Sequence, residues 1–530
     1  MNTVVDDGAV FYINGAEAYR LGMEAGNVEY GTLASRSVGD ATAEGPFTIS
    51  ADSLVNGDNV IAVEVHQQKI DSSDIVFGLA LNAEITTHLR AVSASLEAGE
   101  SVVLVKNRSA FESRYGTGLN IAGEYEGFLD NGGESIKMED YTNSTILEFH
   151  YDDAWYDITD GEGFSLTIKD PDNSILGSWD NKNAWRPSLY SGGSPGKEDA
   201  GVVPEIGSVV INEVLAHSDT DFDWIELHNT TDVDMNIGGW FLSDNNKDDP
   251  NRMKYEIPPT NIPSGDYVVF YENLHFGNPS DPGCRVPFAL SENGETIYLQ
   301  SGQNGVLTGY YEEEKFGASE RDIAFGRYRK STGTFNFVPM SANTPGAANG
   351  YPKVGPIVMT EIMYHPATNG DAEYVELLND SDSTVTLYDF ETNLPWRFVD
   401  DADNPGLEYY FPTDPPVTIA RNERILLIKN ADAFMLEYGS ASLDGITYYE
   451  WLDGSLSNGG EKPELQIPGD VDQSMKRYYI RVDRVSYEDG FPWPTEPDGT
   501  GQSLVKKPDS LNLYGNDVIN WQAMTPSPGE

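Results

Sequence analysis

Val209-Val-Ile-Asn-Glu-Val214 is followed by Asp223-Trp-Ile-Glu-Leu-His-Asn229, and Ile357-Val-Met-Thr-Glu-Ile362 is followed by Glu373-Tyr-Val-Glu-Leu-Leu-Asn379. The two passages are one pattern written twice: an apolar strand with a late glutamate, then a second strand with a central glutamate and a closing asparagine. Self-similarity of this kind is read first, because missing it misassigns the whole fold. Working outward, each passage ends in an aromatic residue followed by a small residue, Pro and Gly: Phe337…Thr344-Pro345-Gly346 and Trp521…Ser527-Pro528-Gly529. A third ending, Trp185…Ser194-Pro195-Gly196, stands upstream.

The three endings define three copies of one module. Before each lies an apolar strand and then a Gly-Glu turn: Leu96–Asn107 with Asn131-Gly-Gly-Glu134, Ile262–Asn273 with Glu292-Asn-Gly-Glu295, and Ile419–Asn430 with Asn458-Gly-Gly-Glu461. Copies one and three also share a short helical link, Ala110-Phe111…Tyr115-Gly116 and Ala433-Phe434…Tyr438-Gly439. Copy one has no opening passage. Either it is truncated or its first strands come from elsewhere in the fold.

A chain of 530 residues accommodates three or four domains, and 39% hydrophobic content suffices for packed cores. No long stretch has helical periodicity. Many segments of five to eight residues, rich in Val, Ile, Tyr and Phe and bounded by Gly, Asn, Asp and Pro, predict short strands. The expected class is all-β, with sandwich architecture. The net charge of −53 repels phosphates and anionic membranes, which excludes nucleic-acid binding through a basic surface. The acidic residues are scattered through turns. They read either as a solvated surface suited to salty water or, in part, as Ca²⁺ ligands. One cysteine, Cys284, leaves no intrachain disulfide. No segment approaches the roughly 20 apolar residues of a membrane span. No signal peptide is visible, and the first residues read like the middle of a β domain, so a fragment of a longer exported protein is expected.

The repeat resembles the lamin-tail domain, an immunoglobulin-like β-sandwich. Ile211-Asn-Glu-Val214, Trp224–Asn229, Gly238-Gly-Trp240 with Leu242-Ser-Asp244, and the Pro-Gly stop carry the resemblance, as do Thr360–Pro366, Tyr374–Asn379 and Asn520-Trp521 in copy three. Asp6-Asp7-Gly8 through Asn14-Gly15, with Gly57-Asp58-Asn59-Val60…His66-Gln67, resembles the later part of a galactose-binding-like jelly roll. The implied domains are a partial jelly roll at 1–88, a lamin-tail-like sandwich lacking its opening strands at 89–203, and two fuller sandwiches at 204–352 and 353–530. The resemblance implies a large, exported, bacterial multidomain protein. No Gly-rich phosphate loop accompanies it.

Candidate site residues come from the repeat. Glu213 matches Glu361, and Glu226 matches Glu376. Strand alternation places Val209, Ile211 and Glu213 on one face, so Glu213 points inward and needs a partner. Three readings compete: a carboxylate capping backbone amides of a neighbouring loop, a Ca²⁺ site of Glu213, Asp219, Asp221 and Asp223, or a catalytic carboxylate pair as in glycoside hydrolysis. A duplicated active site is unusual, which counts against the last. His217 and His365 match, but neither copy offers a shared second histidine, which counts against zinc. His228 has Leu378 as its counterpart, His66 belongs to the jelly-roll resemblance, and Cys284 sits in a turn without a nucleophile elbow anywhere. Among dense aromatic runs, Tyr449 and Trp451 are candidates for stacking on a sugar.

The expected function is a non-catalytic exported structural or adhesive protein, contacting protein or carbohydrate at a cell surface. The alternatives are a carbohydrate-binding accessory region of a polysaccharide-degrading enzyme and a calcium-stabilised surface-layer component.

Overall fold

The computed structural model describes residues 1–55, 59–71, 75–82, 96–173, 177–218, 222–246 and 248–530. The chain forms two units, Met1–Ser95 and Leu96–Glu530. Two α-helices, Arg108–Tyr115 and Ala431–Tyr438, are the only ones among the described residues; the remaining regular structure is strand and short 3-10 turns. The expected all-β class holds. No helix there is long and apolar enough to cross a membrane.

In the N-terminal unit, Gly8–Ile13 is the centre of a three-stranded antiparallel sheet, flanked by Ala16–Leu21 and Ile61–His66. Its hairpin turns on Asn14-Gly15, both at positive φ (50° and 81°), as a two-residue turn matching strand twist requires. Asp7, also at positive φ, accepts the amides of Val38 and Gln68 at 2.7 Å each. The acidic turn noted in the sequence thus fastens two loops.

Residues 204–352 form a sandwich. The first sheet runs Tyr267–Tyr271, Trp224–Asn229, Val209–Leu215, Phe325–Arg329, Phe335–Pro339. The second runs Tyr255–Glu256, Phe241–Ser243, Glu295–Gln303, Val306–Phe316. Ile211, Ile225 and Leu227 of one meet Leu242, Ile297, Leu299 and Tyr310 of the other in a single buried cluster. Residues 353–530 repeat the arrangement. Thr447–Glu450, Arg424–Ile428, Tyr374–Asn379, Ile357–Met363, Ser503–Lys506 and Trp521–Met524 face Glu408–Tyr410, Arg397–Val399, Glu464–Val471 and Arg477–Arg484. Equivalent residues pair in both: Glu213 with Glu226, and Glu361 with Glu376.

The simple alternation expected for the opening strand fails. Its register shifts between Ile211 and Glu213, and again between Met359 and Glu361. A bulge adds one residue and reverses the parity of every side chain beyond it. The sandwich core therefore takes Val209, Ile211, then Val214 and Ala216. Leu215 joins a separate cluster with Trp224. Glu213 is fully buried, but on the opposite face from Ile211.

Residues 96–203 hold fewer strands. Val103–Val105 pairs in parallel with Ile121–Glu124, Gly133–Glu139 pairs with Thr145–Asp152, and Leu166–Ile168 pairs with Trp185–Pro187. The helix Arg108–Tyr115 is capped by Asn107, which accepts the Ala110 amide at 2.8 Å. Asn430 caps the later helix in the same way at 2.9 Å.

Tyr310 illustrates how the sandwich is closed. Its buried hydroxyl accepts from the Val209 amide at 3.1 Å and donates to the Val209 carbonyl at 2.7 Å. Tyr310→Phe orphans both groups and is expected to lower unfolding free energy by about 1–3 kcal/mol. Denaturant titration of the full chain checks this; an unchanged midpoint contradicts it.

Candidate functional site

The duplicated glutamates hold the duplicated Pro-Gly stops. Glu213 accepts the Thr344 amide on both oxygens (3.0 and 3.1 Å) and the Thr344 hydroxyl at 2.7 Å. Glu226 accepts the Gly346 amide at 2.5 Å and the Asn212 side chain at 2.7 Å. In residues 353–530, Glu361 accepts the Ser527 amide at 3.0 Å, the Tyr374 hydroxyl at 2.5 Å and the Ser503 hydroxyl. Glu376 accepts the Gly529 amide at 2.7 Å, the Thr360 hydroxyl at 2.5 Å and Arg424 Nε at 3.0 Å. The bulged residue, Asn212 or Thr360, supplies a donor to the second glutamate each time. Gly346 and Gly529 sit at φ 83° and 85°, a backbone that side chains other than glycine's resist.

Burial raises the carboxyls of Glu213 and Glu376 and pushes Glu226 up to about 7, against the lowering pull of their donors. A second carboxylate contact recurs at three Gly-Glu turns. Glu134, Glu295 and Glu461, at the Gly-Glu turns, accept the amides of Asp130, Ser291 and Ser457 at 3.0, 2.5 and 2.9 Å. Burial pushes Glu295 and Glu461 up to about 7.

Of the Ca²⁺ set drawn from the sequence, Glu213 and Asp223 are described, and they bond to different loops. Asp219 and Asp221 lie outside the described residues. Glu213 is engaged with Thr344, whereas Asp223 accepts the Leu290 amide at 2.8 Å and is pushed up to about 6 by burial. Among the described residues, one group of three places ligating atoms within 4.8 Å of one another: His217, Glu292 and Asp470. Sequence spacing hid it, because Asp470 comes from the C-terminal sandwich. His217 Nδ1 lies 3.0 Å from the Ser319 carbonyl, whereas its sequence match His365 contacts Asp498 at 2.5 Å. His228 stacks on Tyr267 at 4.3 Å, and His66 Nδ1 meets the Thr32 carbonyl at 2.8 Å. Cys284 is half-buried, with Sγ 3.3 Å from the Phe276 carbonyl.

Tyr449 and Trp451 do not form an outward platform, which corrects the sequence reading. Trp451 is 7% exposed and belongs to the core, and Tyr449 packs half-buried against that core. Their strand is held parallel to Arg424–Ile428, so the outward ring of the run is Tyr448.

The better-placed aromatic surface is the outer face of the second C-terminal sheet. Arg397 lies over the Tyr479 ring at 3.4 Å, and Tyr410 and Tyr479 hydroxyls are 3.4 Å apart. Arg397 Nε donates to Gln466 at 2.8 Å and its guanidinium also meets Glu408. Gln466 donates to Glu464 at 2.7 Å, and Arg481 and Arg484 reach Glu464 at 3.1 and 3.4 Å. Tyr479, Gln466, Glu464, Arg481 and Arg484 border a cleft of about 520 Å³ whose other wall includes Lys315, Lys330, Phe335 and Phe337 of the middle sandwich. Four basic residues there face Glu314, Asp401, Asp403 and Glu464, so the cleft is close to neutral within a strongly acidic protein. Alternation within Glu464-Leu-Gln466 and Tyr479-Ile-Arg481 was the available sequence signal, but only the packing of two sandwiches makes it a cleft.

Two outcomes follow from the buried carboxylates. Glu361→Ala leaves the Tyr374 and Ser503 hydroxyls and the Ser527 amide without their acceptor, and about 3 kcal/mol or more of stability is expected to go. Denaturant melts measure it, and a loss below 1 kcal/mol contradicts the assignment. Glu226, Glu295 and Glu461 titrate near 7 when folded against 4.5 when free. The folded chain holds protons that the unfolded chain has released between those values. Their stabilising contribution is complete below about pH 4.5 and disappears as pH rises through 7. Melting temperature should therefore rise on going from pH 8 to pH 5, and a fall contradicts the assignment.

Comparison with known proteins places part of this architecture. Residues 203–312 match the family model described as Lamin Tail Domain. No curated protein matches the chain. Among solved structures, a DUF4876 family protein from Bacteroides thetaiotaomicron VPI-5482 is similar over 45% of this chain and 93% of its own length, at 12% identity and a TM-score of 0.24. A likeness that low carries no argument. The chain is thus an all-β protein with an immunoglobulin-like lamin-tail domain at residues 203–312.

Proposed function

We propose that this chain is a non-catalytic, exported structural or adhesive protein, made of tandem lamin-tail-like sandwiches behind a partial galactose-binding-like jelly roll. The observation that carries the reading is the pair of glutamate clamps. The carboxylates that most resemble a catalytic pair are occupied in fastening each sandwich's own closing turn. Their duplication then has a structural cause, since each sandwich needs its own fastening. The strongly negative charge favours solubility and disfavours anionic partners. Expected partners are proteins or carbohydrates at a bacterial cell surface.

The inter-sandwich cleft favours a second reading, in which the same protein recognises glycans as an accessory region. Tyr479 offers a ring face, while Gln466, Arg481 and Lys330 offer polar groups that suit sugar hydroxyls. Near-neutrality of the cleft within a net charge of −53 favours an uncharged glycan over an acidic one.

Hydrolysis of a polysaccharide panel that is abolished by Glu213→Gln would overturn the non-catalytic reading; no turnover by either protein is expected. For the second reading, a glycan array should return neutral oligosaccharides whose binding weakens about tenfold in Tyr479→Ala. Binding that is insensitive to Tyr479→Ala removes the cleft from consideration.

A further inference from the structure

Residues 96–203 contain the flanks of a sheet without its centre. In residues 353–530 the first sheet reads Thr447–Glu450, Arg424–Ile428, then the opening hairpin Tyr374–Asn379 and Ile357–Met363, then Ser503–Lys506 and Trp521–Met524. In residues 96–203 the corresponding outer pairs are present. Ile121–Glu124 lies beside Val103–Val105 with the same parallel sense, and Leu166–Ile168 lies beside Trp185–Pro187. They are two separate two-stranded sheets, and no hairpin lies between them among the described residues.

Four observations describe what the gap accepts. Val103 donates to Asn120 and Val105 accepts from Tyr125, so alternation turns the Leu104 amide and carbonyl to the opposite edge. Likewise the bonds at Ser165 and Lys169 turn Leu166 and Ile168 outward from Trp185–Pro187. Leu104 is 64% exposed and Val102 37% exposed, whereas their counterparts Leu427 and Ile425 are fully buried under the opening hairpin's sandwich. A cavity of about 480 Å³ is lined by Ile136, Phe149, Phe164, Leu166 and Trp185, with Asp130, Asp152, Asp153 and Asp160 also on its wall. Among the described residues, no buried cluster takes a core member from residues 96–202.

The closing turn is formed as well. Gly196 has φ 70°, close to Gly346 and Gly529. In the later sandwiches the turn's two amides hold two carboxylates, and Ser503 adds a hydroxyl. Ser194, Gly196 and Ser165 are the counterparts, and among the described residues the Ser194 and Gly196 amides meet no carboxylate. The gap is therefore complementary to a hairpin with one carboxylate on each strand.

We infer that residues 96–203 form an acceptor that is completed in trans by a β-hairpin from another polypeptide, with apolar residues on alternate positions and a carboxylate at the places of Glu361 and Glu376. This rests on reading the segment as a third copy of the same module. Main-chain bonds along both open edges give affinity, and the two carboxylates in the Pro-Gly turn give register and specificity. An unpaired, partly apolar edge otherwise templates uncontrolled association. A dedicated donor gives it one defined partner, which fits a protein that assembles with others.

The probe is a synthetic peptide of residues 356–380 of this chain, whose own copy is already in use. Saturable binding to the full chain is expected, with slowed hydrogen exchange at Leu104 and Leu166. The same peptide carrying E361Q and E376Q should bind at least tenfold more weakly, and Leu104→Lys in the chain, at an exposed position, should abolish binding. Failure of the peptide to bind, or equal binding by the Gln peptide or the Leu104→Lys chain, overturns the proposal. Exchange in the free chain separates the causes. If Leu104 and Leu166 are already protected in a concentration-independent way, both edges are covered within the chain and donation in trans fails. If protection rises with chain concentration, a second copy is the occupant and the separate donor is wrong. If both amides exchange fast and the peptide still does not bind, the copy reading stands and donation in trans fails.

Discussion

A buried carboxylate that grips a backbone amide is the constraint on which these sandwiches depend. Removing a charged group from water is costly, and the cost is met only when several donors replace the lost hydration. Glu213, Glu226, Glu361 and Glu376 each find two or more, and in every case one is an amide of the small-Pro-Gly turn. The turn lies more than a hundred residues away in sequence from its glutamate. Each clamp therefore ties the end of a domain to its beginning, and it does so from the two central strands of the first sheet.

Other features follow from that arrangement. The bulge at Asn212 or Thr360 turns the first glutamate off the core face while keeping it buried, and it places a donor on the second glutamate. The strand beyond the bulge can then return apolar residues to the core. The Gly at the stop must adopt positive φ to aim its amide at the carboxylate. Glu134, Glu295 and Glu461 apply the same chemistry on a local scale, each capping a residue four positions earlier. A strongly acidic composition thus contributes two different things: solvated surface charge and a set of interior fasteners.

Much of this was legible in the residues. The paired glutamates, the Pro-Gly stops, the Gly-Glu turns and the asparagine-capped helical links were all visible as repeats, because each meets a local backbone requirement that restricts the residue type. Their mutual contact was not visible, since nothing local records which distant amide a carboxylate reaches. The inward direction of Glu213 was anticipated on the wrong face, because a bulge is a pairing defect and leaves only a weak trace in one strand. Trp451 was misplaced for a related reason. A run of aromatics reads the same whether its alternate rings meet a second sheet or water, and here Trp451, just beyond the strand paired with Arg424–Ile428, lies in the core.

Contiguous residues alone specified an all-β chain and displayed its repeated endings. Strand periodicity, turn residues and repetition are properties of contiguous residues, so they survive without a structure. Tertiary packing alone decided that the glutamates belong to the Pro-Gly turns, that Tyr479 with Gln466, Arg481 and Arg484 borders a cleft between two sandwiches, and that Asp470 joins His217 and Glu292. It also left Leu104 and Val102 exposed, whereas Leu427 and Ile425 are buried. Those relations join residues remote along the chain, and only the folding of two sheets against each other fixes the distances between them.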